Sequence, residues 1–303
     1  MSARTEPQLD PFAAAADQIG DAWTFLITRE AFFGARRFEE FCQSMKISRA
    51  RLSERLKHLV DSGVLERRPY SDAPLRYEYR LTDKGLSIYP IALTLIAWGE
   101  KWRSTKSDVA LVHRPCGHPL RVRMICRNCG RVVTAEDLVW PPILPLDQVS
   151  LTPNDVRGWR KMAGIDDVSA RSDPGLETLR IVGDRWSMLI MYGALQTEFR
   201  FREAQAKLGI AHNILTERLT HLVQHGVLER TGPTRNAAYR ATAAGRGLLD
   251  VVLAARTWGL DHVDVDEARW NRLVHKPCGS NIRVDFVCAE CHQRVSARDV
   301  AFT

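Results

Sequence analysis

An internal repeat constrains the fold of this 303-residue chain more than any other feature of its sequence. Residues 47–67 align with residues 210–230 at an offset of 163, and 13 of the 21 positions are identical. The offset falls to 160 where Trp98 pairs with Trp258, and it becomes 162 for the segments that contain most of the cysteines. A repeat of this extent, in a chain about twice as long as a common domain, predicts two copies of one domain.

Composition and charge exclude several classes of protein. Hydrophobic residues make up 45% of the chain and charged residues 26%, which is typical of a folded protein and not of a disordered or collagen-like one. The longest apolar stretches, 90–98 and 188–195, reach about half of the roughly 20 residues that cross a bilayer. The polar N-terminus predicts no secretory signal, so we expect a cytoplasmic protein. The net charge of +7 is compatible with a polyanionic partner.

Helix-capping residues and hydrophobic periodicity predict the same series of elements in each copy. In copy one, Asp10 and Pro11 are typical of the start of a helix, Ser48 can cap a later helix, and Gly63 can end it. The predicted elements are a first helix (10–33), a second helix (38–45), a third helix (48–63), a hairpin of two strands (64–70 and 76–81) and a last helix (83–102). This order is that of a winged helix-turn-helix.

The repeat and a proline-containing connector divide the chain into five parts. Each predicted winged helix-turn-helix is followed by a short cysteine-containing module that resembles a zinc ribbon. The predicted parts are winged helix-turn-helix copy one (10–105), module one (110–137), the connector (138–172), winged helix-turn-helix copy two (173–265) and module two (272–303). The expected fold class is therefore mainly α with small β-hairpins (α+β).

The third helix of each copy and the hairpin carry side chains suited to DNA. In copy one the apolar stripe of this helix leaves arginine, lysine and serine on the opposite or flanking surface, where arginine and lysine can reach guanine O6 and N7 in a major groove. Hairpin and neighbouring arginines are suited to the minor groove or to phosphates. The candidate DNA-binding residues of copy one are Arg37, Ser48, Arg49, Arg51, Ser53, Lys57, Arg68 and Arg76. On an isolated helix, such charges would more often form a solvated face.

Copy two differs from copy one at the start of its third helix. Where copy one has Ser48, Arg49 and Arg51, copy two has alanine, histidine and isoleucine, so the capping hydroxyl and both arginines are absent. Its candidate DNA-binding residues are His212, Asn213, Thr216, Thr220 and, at the hairpin tip, Arg235. We expect copy two either to read a different and weaker half-site, with Asn213 suited to adenine, or to act mainly in dimerisation.

Several spaced motifs resemble the HxlR-type winged-helix transcription regulators. In copy one these are residues 20–27 (GDAWTFLI), 36–41 (RRFEEF), 52–56 (LSERL) and 63–67 (GVLER), and copy two repeats the pattern from Gly183 onward. The resemblance implies bacterial DNA-binding regulators that are usually dimeric, in which the first and last helices pair and the third helix reads DNA. Family members are typically a single module, so this chain departs from them by its duplication. Some members sense electrophiles through a cysteine just before the first helix, and no cysteine lies there in this chain.

Six of the seven cysteines form two groups with the spacing of metal ligands. The spacing His-x2-Cys-x9-Cys-x2-Cys follows each winged helix-turn-helix, and it predicts a tetrahedral Cys3His site within each copy, holding a structural zinc ion. The predicted ligands are His113, Cys116, Cys126 and Cys129 in copy one and His275, Cys278, Cys288 and Cys291 in copy two. His118 is a weaker candidate because copy two has serine at that position. Buried thiols without metal and redox-active thiols are the alternatives.

Together these features predict a sequence-specific regulator that binds double-stranded DNA, and a repressor by default because an occupied promoter blocks polymerase. We expect it at the bacterial nucleoid, either as an intramolecular pseudo-dimer of the two copies or as a homodimer. A small hydrophobic effector could bind between the first and last helices, although the tryptophans there are as readily explained as core residues.

The alternative function is that of a protein–protein interaction module in which one or both copies bind a partner protein. An enzyme is not expected, because the chain lacks a glycine-rich phosphate loop, an HExxH motif and a nucleophile elbow.

Overall fold

The computed structural model describes residues 10–45, 47–141, 173–232, 237–270 and 272–302. Copy one contains the elements α1 (Pro11–Ile19), α2 (Ala22–Phe32), α3 (Phe38–Met45), α4 (Arg49–Asp61), β1 (Leu65–Asp72), β2 (Leu75–Leu81), α5 (Asp83–Leu86), α6 (Tyr89–Arg103), β3 (Leu111–His113), β4 (Val122–Cys126) and β5 (Leu138–Val139). Copy two contains α7 (Pro174–Val182), α8 (Arg185–Gln196), β6 (Phe199–Arg200), α9 (Phe201–Leu208), α10 (His212–Gln224), β7 (Leu228–Thr231), β8 (Ala238–Ala241), α11 (Ala243–Arg246), α12 (Leu249–His262), α13 (Glu267–Trp270), β9 (Val274–His275), β10 (Ser280–Asn281), β11 (Val284–Cys288) and β12 (Val300–Phe302). Helices with small antiparallel sheets confirm the predicted fold class.

The prediction of one continuous first helix over 10–33 is wrong. As predicted, Asp10 caps the start of α1, where its Oδ1 accepts a hydrogen bond from Phe12 N at 2.9 Å. A second helix, α2, begins after Asp21, whose carboxylate accepts hydrogen bonds from the N–H groups of Trp23 and Thr24. The predicted last helix is likewise divided, into α5 and α6. The Asp21 cap satisfies free backbone N–H groups at the start of α2, whereas α6 begins without a side-chain cap, and the apolar periodicity continues across both breaks.

The helix-turn-helix and its hairpin form as predicted in copy one. Leu52, Leu56 and Leu59 are fully buried on α4, and strands β1 and β2 pair in antiparallel register from Leu65↔Leu81 onward. In copy two the equivalent helices are α9 and α10, and the hairpin strands β7 and β8 are only four residues each. In copy two a short strand, β6, pairs with β8, where copy one has a single bridge between Arg37 and Glu78. The wing is therefore longer in copy one.

The described residues form two compact units, and each unit contains segments of both copies. We name them by the helix-turn-helix they contain. The copy-one unit comprises the described residues of 18–122, 173–180 and 288–302, and the copy-two unit those of 10–17, 123–141 and 181–287. Each unit thus contains most of the first helix of the other copy and half of the other copy's cysteine-containing module.

In the copy-one unit, α7 packs closely against the last helix, α6. The Thr178 hydroxyl donates to the backbone oxygen of Leu95 at 2.8 Å. Gly99 allows the close approach, because a Cβ atom there would lie 2.0 Å from the backbone oxygen of Pro174. An ion pair joins Asp173 to Arg29 of α2.

In the copy-two unit, α1 occupies the equivalent position against α12. A Cβ atom at Gly259 would lie 1.9 Å from the backbone oxygen of Pro11. The Phe12 and Tyr192 rings are 4.7 Å apart, and the Arg185 guanidinium lies 2.5 Å from the Asp17 carboxylate. First and last helices thus pair as the family resemblance implies, but the two helices of each pair come from different copies.

The cysteine-containing segments show the same exchange. In the copy-one unit β12 pairs with β3, and in the copy-two unit β5 pairs with β9. Residues of the last segment join the core of the copy-one unit, where Cys288, Val295 and Val300 pack against Tyr89 and Leu93 of α6. No helix in the described ranges combines the length and apolar character that a membrane span requires.

Candidate DNA-binding surface and metal centres

Helix α4 carries three of the six predicted basic residues of copy one. Ser48 caps the helix and accepts a hydrogen bond from the N–H of Arg51, as predicted. Arg49, Ser53 and Lys57 are exposed on α4. Their arrangement opposite the buried leucine stripe leaves this face of α4 accessible along its length.

Two arginines of this surface have partners within the unit. Arg49 forms an ion pair with Glu39 at 2.7 Å, and its guanidinium lies over the Phe38 ring. Arg51 is half-buried, with its guanidinium 5.5 Å from the centre of the Trp23 ring. DNA would therefore have to compete with Glu39 for Arg49, whereas the contact with Trp23 orients Arg51 without neutralising its charge.

The hairpin and the residues beside it add a second basic group. The Arg37 guanidinium lies 4.5 Å from the centre of the Tyr70 ring on β1. Arg68 is exposed and forms an ion pair with Glu66, and Arg76 is exposed at the start of β2. Arg76 thus lies near the end of the wing, where the sequence predicts it.

The equivalent surface of copy two is polar but less basic. His212 packs against the Phe201 ring at 4.7 Å, and the Thr216 hydroxyl donates to the backbone oxygen of His212 at 2.9 Å. Asn213 and Thr220 are exposed, and Ala211 provides no side-chain cap for α10. Arg235 lies outside the described residues.

The eight predicted metal ligands form two clusters, but not in the predicted combination. In the copy-one unit the cluster consists of His113, Cys116, Cys288 and Cys291, and in the copy-two unit of Cys126, Cys129, His275 and Cys278. The prediction that each site draws its four ligands from one copy is therefore wrong. Each site combines the His-x2-Cys pair of one copy with the Cys-x2-Cys pair of the other. The spacing is the same for both pairings, so the repeat alone could not distinguish them.

The distances within each cluster match a tetrahedral zinc site. The ligand atoms of a cluster all lie within 4.8 Å of one another. Cys116 Sγ is 3.9 Å from Cys288 Sγ, and His113 Nδ1 is 3.3 Å and 3.4 Å from the Sγ atoms of Cys116 and Cys291. Zinc bonds of about 2.3 Å to sulfur and 2.0–2.1 Å to nitrogen place sulfur atoms about 3.8 Å apart and nitrogen about 3.6 Å from sulfur. The donor set therefore fits zinc.

The second cluster has the same geometry. Cys126 Sγ is 3.9 Å from Cys278 Sγ, and His275 Nδ1 is 3.3 Å and 3.5 Å from the Sγ atoms of Cys278 and Cys129. Hydrogen bonds from the backbone N–H of Ser280 and from His275 lower the pKa of the Cys278 thiol to about 6, which favours the thiolate that binds metals. In both clusters the histidine presents Nδ1 to the cysteines.

Left-handed residues shape the turns that carry the ligands. Gly117, Gly130 and Gly279, which each directly follow a cysteine of the clusters, have φ between 71° and 72°, a conformation that favours glycine. His292 occupies the fourth equivalent position with φ of 60°. His118 lies outside both clusters, whereas His113 belongs to the cluster of the copy-one unit.

Two residues important for the DNA-binding surface escaped the sequence reasoning. Glu39 binds Arg49 from the preceding helix, and Trp23 lies under Arg51. The acidic pair at the start of α3 was the available signal for Glu39, because a helix-turn-helix brings that turn close to the start of α4. The contact of Trp23 depends on how α2 packs against α4, which no local pattern indicates.

Comparison with known proteins identifies a helix-turn-helix in each copy. The profile of the family described as HxlR-like helix-turn-helix matches residues 18–107 and 181–267, which together are more than half of the chain. An uncharacterized HTH-type transcriptional regulator of Mycobacterium tuberculosis is 40% identical over 130 residues, covering 42% of this chain and 82% of that protein. The HTH-type transcriptional regulator YvaP of Bacillus subtilis is 37% identical over 92 residues, 30% of this chain and 85% of its own. The crystal structure of PA1607 shares 38% identity over 40% of this chain and 87% of that one, with a TM-score of 0.37. Because the family profile matches both copies, the chain belongs to the HxlR-like helix-turn-helix family of DNA-binding transcriptional regulators.

Proposed function

We propose that this regulator is a repressor that reads operator DNA with α4 and the β1–β2 hairpin of copy one. The observation that carries the proposal is the exposed face of α4, where Arg49, Ser53 and Lys57 lie opposite the buried leucines. A capped helix with this face suits the major groove, where arginine and lysine can bind guanine edges. Arg76 near the end of the wing is placed to reach the minor groove, and Arg37 and Arg68 to bind phosphates.

Copy two is proposed to read a second, weaker half-site. Its exposed candidates on α10 are the neutral or weakly basic His212, Asn213, Thr216 and Thr220. An asparagine at the start of a recognition helix can bind adenine in a bidentate manner. If the two copies act as a pseudo-dimer, the operator is an imperfect palindrome with half-site centres about 10 bp apart or a multiple of that spacing. A homodimer of whole chains would instead bind up to four half-sites.

Both clusters are proposed to hold structural zinc. Four protein ligands complete a tetrahedral coordination sphere, so an ion bound there has no open position for a substrate. This arrangement and the family both favour a regulator without enzymatic activity. Bound zinc would hold together chain segments from the two copies, and so stabilise the exchanged arrangement of each unit.

The DNA-binding proposal is tested with matched charge variants. Operator sequences are selected from random DNA with the wild-type protein and then titrated, over a range of salt concentrations, with Arg49→Ala/Lys57→Ala and with Lys101→Ala/Arg131→Ala. The second variant removes the same charge from exposed positions outside α4. We expect the α4 variant to lose at least tenfold in operator affinity, since a good base contact is worth about 1–3 kcal/mol. Equal affinities of the two variants would exclude α4 as the reading helix.

Copy two is tested in the same assay. Asn213→Ala is expected to relax selection in one half of the operator and leave the other half unchanged. Wild-type affinity should also fall with salt, with a log–log slope of about −0.9 per phosphate contact. If Asn213→Ala changes neither affinity nor selected sequence, copy two is not a reader and serves in pairing or in binding another protein.

A further inference from the structure

Copy two contains a cavity, partly open to solvent, at a place that a large side chain fills in copy one. The cavity has a volume of about 60 Å³, and Ala204 of α9 and Gly193 of α8 line it. At the position of Ala204, copy one has Phe41, whose side chain is fully buried. At the position of Gly193, copy one has Glu30, which is ion-paired with Arg29. The substitution of two small residues therefore opens this space in copy two.

The polar residues of the cavity wall are predominantly donors. The indole N–H of Trp270 is buried and has no acceptor among the described residues. Lys207, half-buried on α9, makes no ion pair within the described part of the chain. A buried N–H without an acceptor is unfavourable, so a bound group that only accepts hydrogen bonds would be stabilised here.

The charges of the cavity wall also favour an anion. Asp10 accepts hydrogen bonds from Phe12 N and from the Tyr192 hydroxyl, and the positive charge of Arg256 acts on its carboxylate. Arg256 donates to the backbone oxygens of Trp270 and Ile282. The wall has one acidic side chain, Asp10, and two basic ones, Arg256 and Lys207, so its net charge is positive. A ligand with one negative charge would neutralise it.

The size of the cavity limits the ligand. A volume of about 60 Å³ corresponds to roughly two water molecules, whereas benzene has been accommodated in an engineered cavity of about 150 Å³. The part of a ligand that lies within this volume is therefore a short aliphatic chain and not an aromatic ring. Leu189, Ile190 and Phe199 supply the apolar surface for such a chain.

We propose that this cavity is an effector site for short-chain aliphatic carboxylates, with the carboxylate bound by donors of the wall. Ala204, Lys207 and Leu208 belong to α9, which directly precedes the recognition helix α10. Occupancy of the cavity is therefore expected to change the DNA affinity of copy two. This regulatory consequence rests on the proposed function, whereas the binding site itself does not.

Binding is tested on the full-length, zinc-loaded protein with sodium butyrate as the probe. The indole N–H resonances of the eight tryptophans are followed by NMR, and Trp270→Phe identifies the signal of Trp270. We expect a saturable shift of that signal with butyrate, and at least tenfold weaker binding of butyramide, a neutral molecule of the same shape. No saturable shift, or equal binding of butyrate and butyramide, would overturn the proposal.

Three variants tie the binding to the cavity. Ala204→Phe introduces the residue of copy one, and Gly193→Leu fills the space from α8, where an added Cβ atom meets nothing within 4 Å. Both are expected to abolish binding of butyrate, and Lys207→Met to weaken it at least fivefold without changing the folded core. Unchanged butyrate affinity in a folded filling variant, or in Lys207→Met, would place the binding elsewhere and overturn the site.

Regulation is measured separately, as the operator affinity with and without saturating butyrate. A change in the wild-type protein that is absent in Ala204→Phe supports the effector role. An unchanged affinity in a protein that does bind butyrate overturns regulation alone. A protein that binds butyrate but no DNA contradicts the proposed function and leaves the binding site in place.

Discussion

At the residue scale, two glycines allow the helix exchange. Gly99 and Gly259 occupy equivalent positions in the last helices of the two copies, and each faces a backbone oxygen at the start of a first helix, that of Pro174 or Pro11. A side chain at either position would meet backbone, which cannot move aside as a flexible side chain can. The close packing of first and last helices therefore depends on the absence of one carbon atom in each unit.

Gly99→Ala and Gly259→Ala are each expected to lower the free energy of unfolding by at least about 1–3 kcal/mol, because the added methyl group forces the helices apart. Chemical denaturation of the purified variants measures the effect. Gly193→Ala is the control, since it lies in helix α8 with open space around the added Cβ atom, and we expect it to gain about 0.5–1 kcal/mol. Similar stabilities of all three variants would contradict the close approach.

Asp10 predicts a characteristic dependence of stability on pH. Burial raises the pKa of its carboxyl above the ordinary value of 3.8, although Arg256 partly opposes this. The folded state then holds the proton more tightly than the unfolded state, so this residue makes stability fall as pH rises from about 4 through its raised pKa. Asp10→Asn should remove this component. Denaturation between pH 4 and pH 7 checks it: the stability difference between wild type and Asp10→Asn must change with pH, and parallel curves would contradict the prediction.

At the scale of elements, the recognition helix α4 is held by the helix before it. Glu39 near the start of α3 binds Arg49 at the start of α4, and this hydrogen bond lowers the pKa of the Glu39 carboxyl. In the proposed function, Arg49 is therefore shared between this internal partner and DNA. Copy two has no such pair, because arginine replaces Glu39 and histidine replaces Arg49 at the equivalent positions.

Glu39→Gln is expected to raise operator affinity by about two- to threefold, because it releases Arg49 from an exposed ion pair of small energy. Titration of labelled operator at two salt concentrations measures the change. Glu100→Gln removes the same charge from α6 and serves as the control. An equal gain in both variants would show a general effect of net charge and contradict the specific role of Glu39.

At the scale of the whole molecule, the ligand exchange makes the two copies interdependent. Each cluster needs a His-x2-Cys pair from one copy and a Cys-x2-Cys pair from the other. The exchanged first helices require both copies in the same way. A single copy therefore supplies neither a complete Cys/His cluster nor both helices of a pair formed by a first and a last helix.

Paired cysteine variants distinguish exchanged from copy-internal sites by metal content. Cys116→Ser/Cys291→Ser damages one cluster, so we expect one zinc per chain, whereas Cys116→Ser/Cys126→Ser damages both and should retain none. Ligands drawn from within each copy would give the opposite result. Zinc in the purified proteins is measured by mass spectrometry, and the second variant should also lose more stability, because metal binding contributes to the folding free energy.

The sequence by itself determined the order of helices and hairpin in each copy, the helix α4 and its cap, and which eight residues form the two Cys/His clusters. These features depend on residues that are close in the sequence, so hydrophobic periodicity, capping residues and ligand spacing were sufficient to predict them. The domain boundaries near 105, 137 and 172 and the individual DNA contacts stay predictions. Only the tertiary structure decided the breaks after Ile19 and Leu86, the partner of each first helix and the combination of ligands. Two similar copies offer the same local pattern to either partner, and the choice between them is made by contacts between residues more than 70 positions apart, such as Gly99 with Pro174 and Cys116 with Cys288.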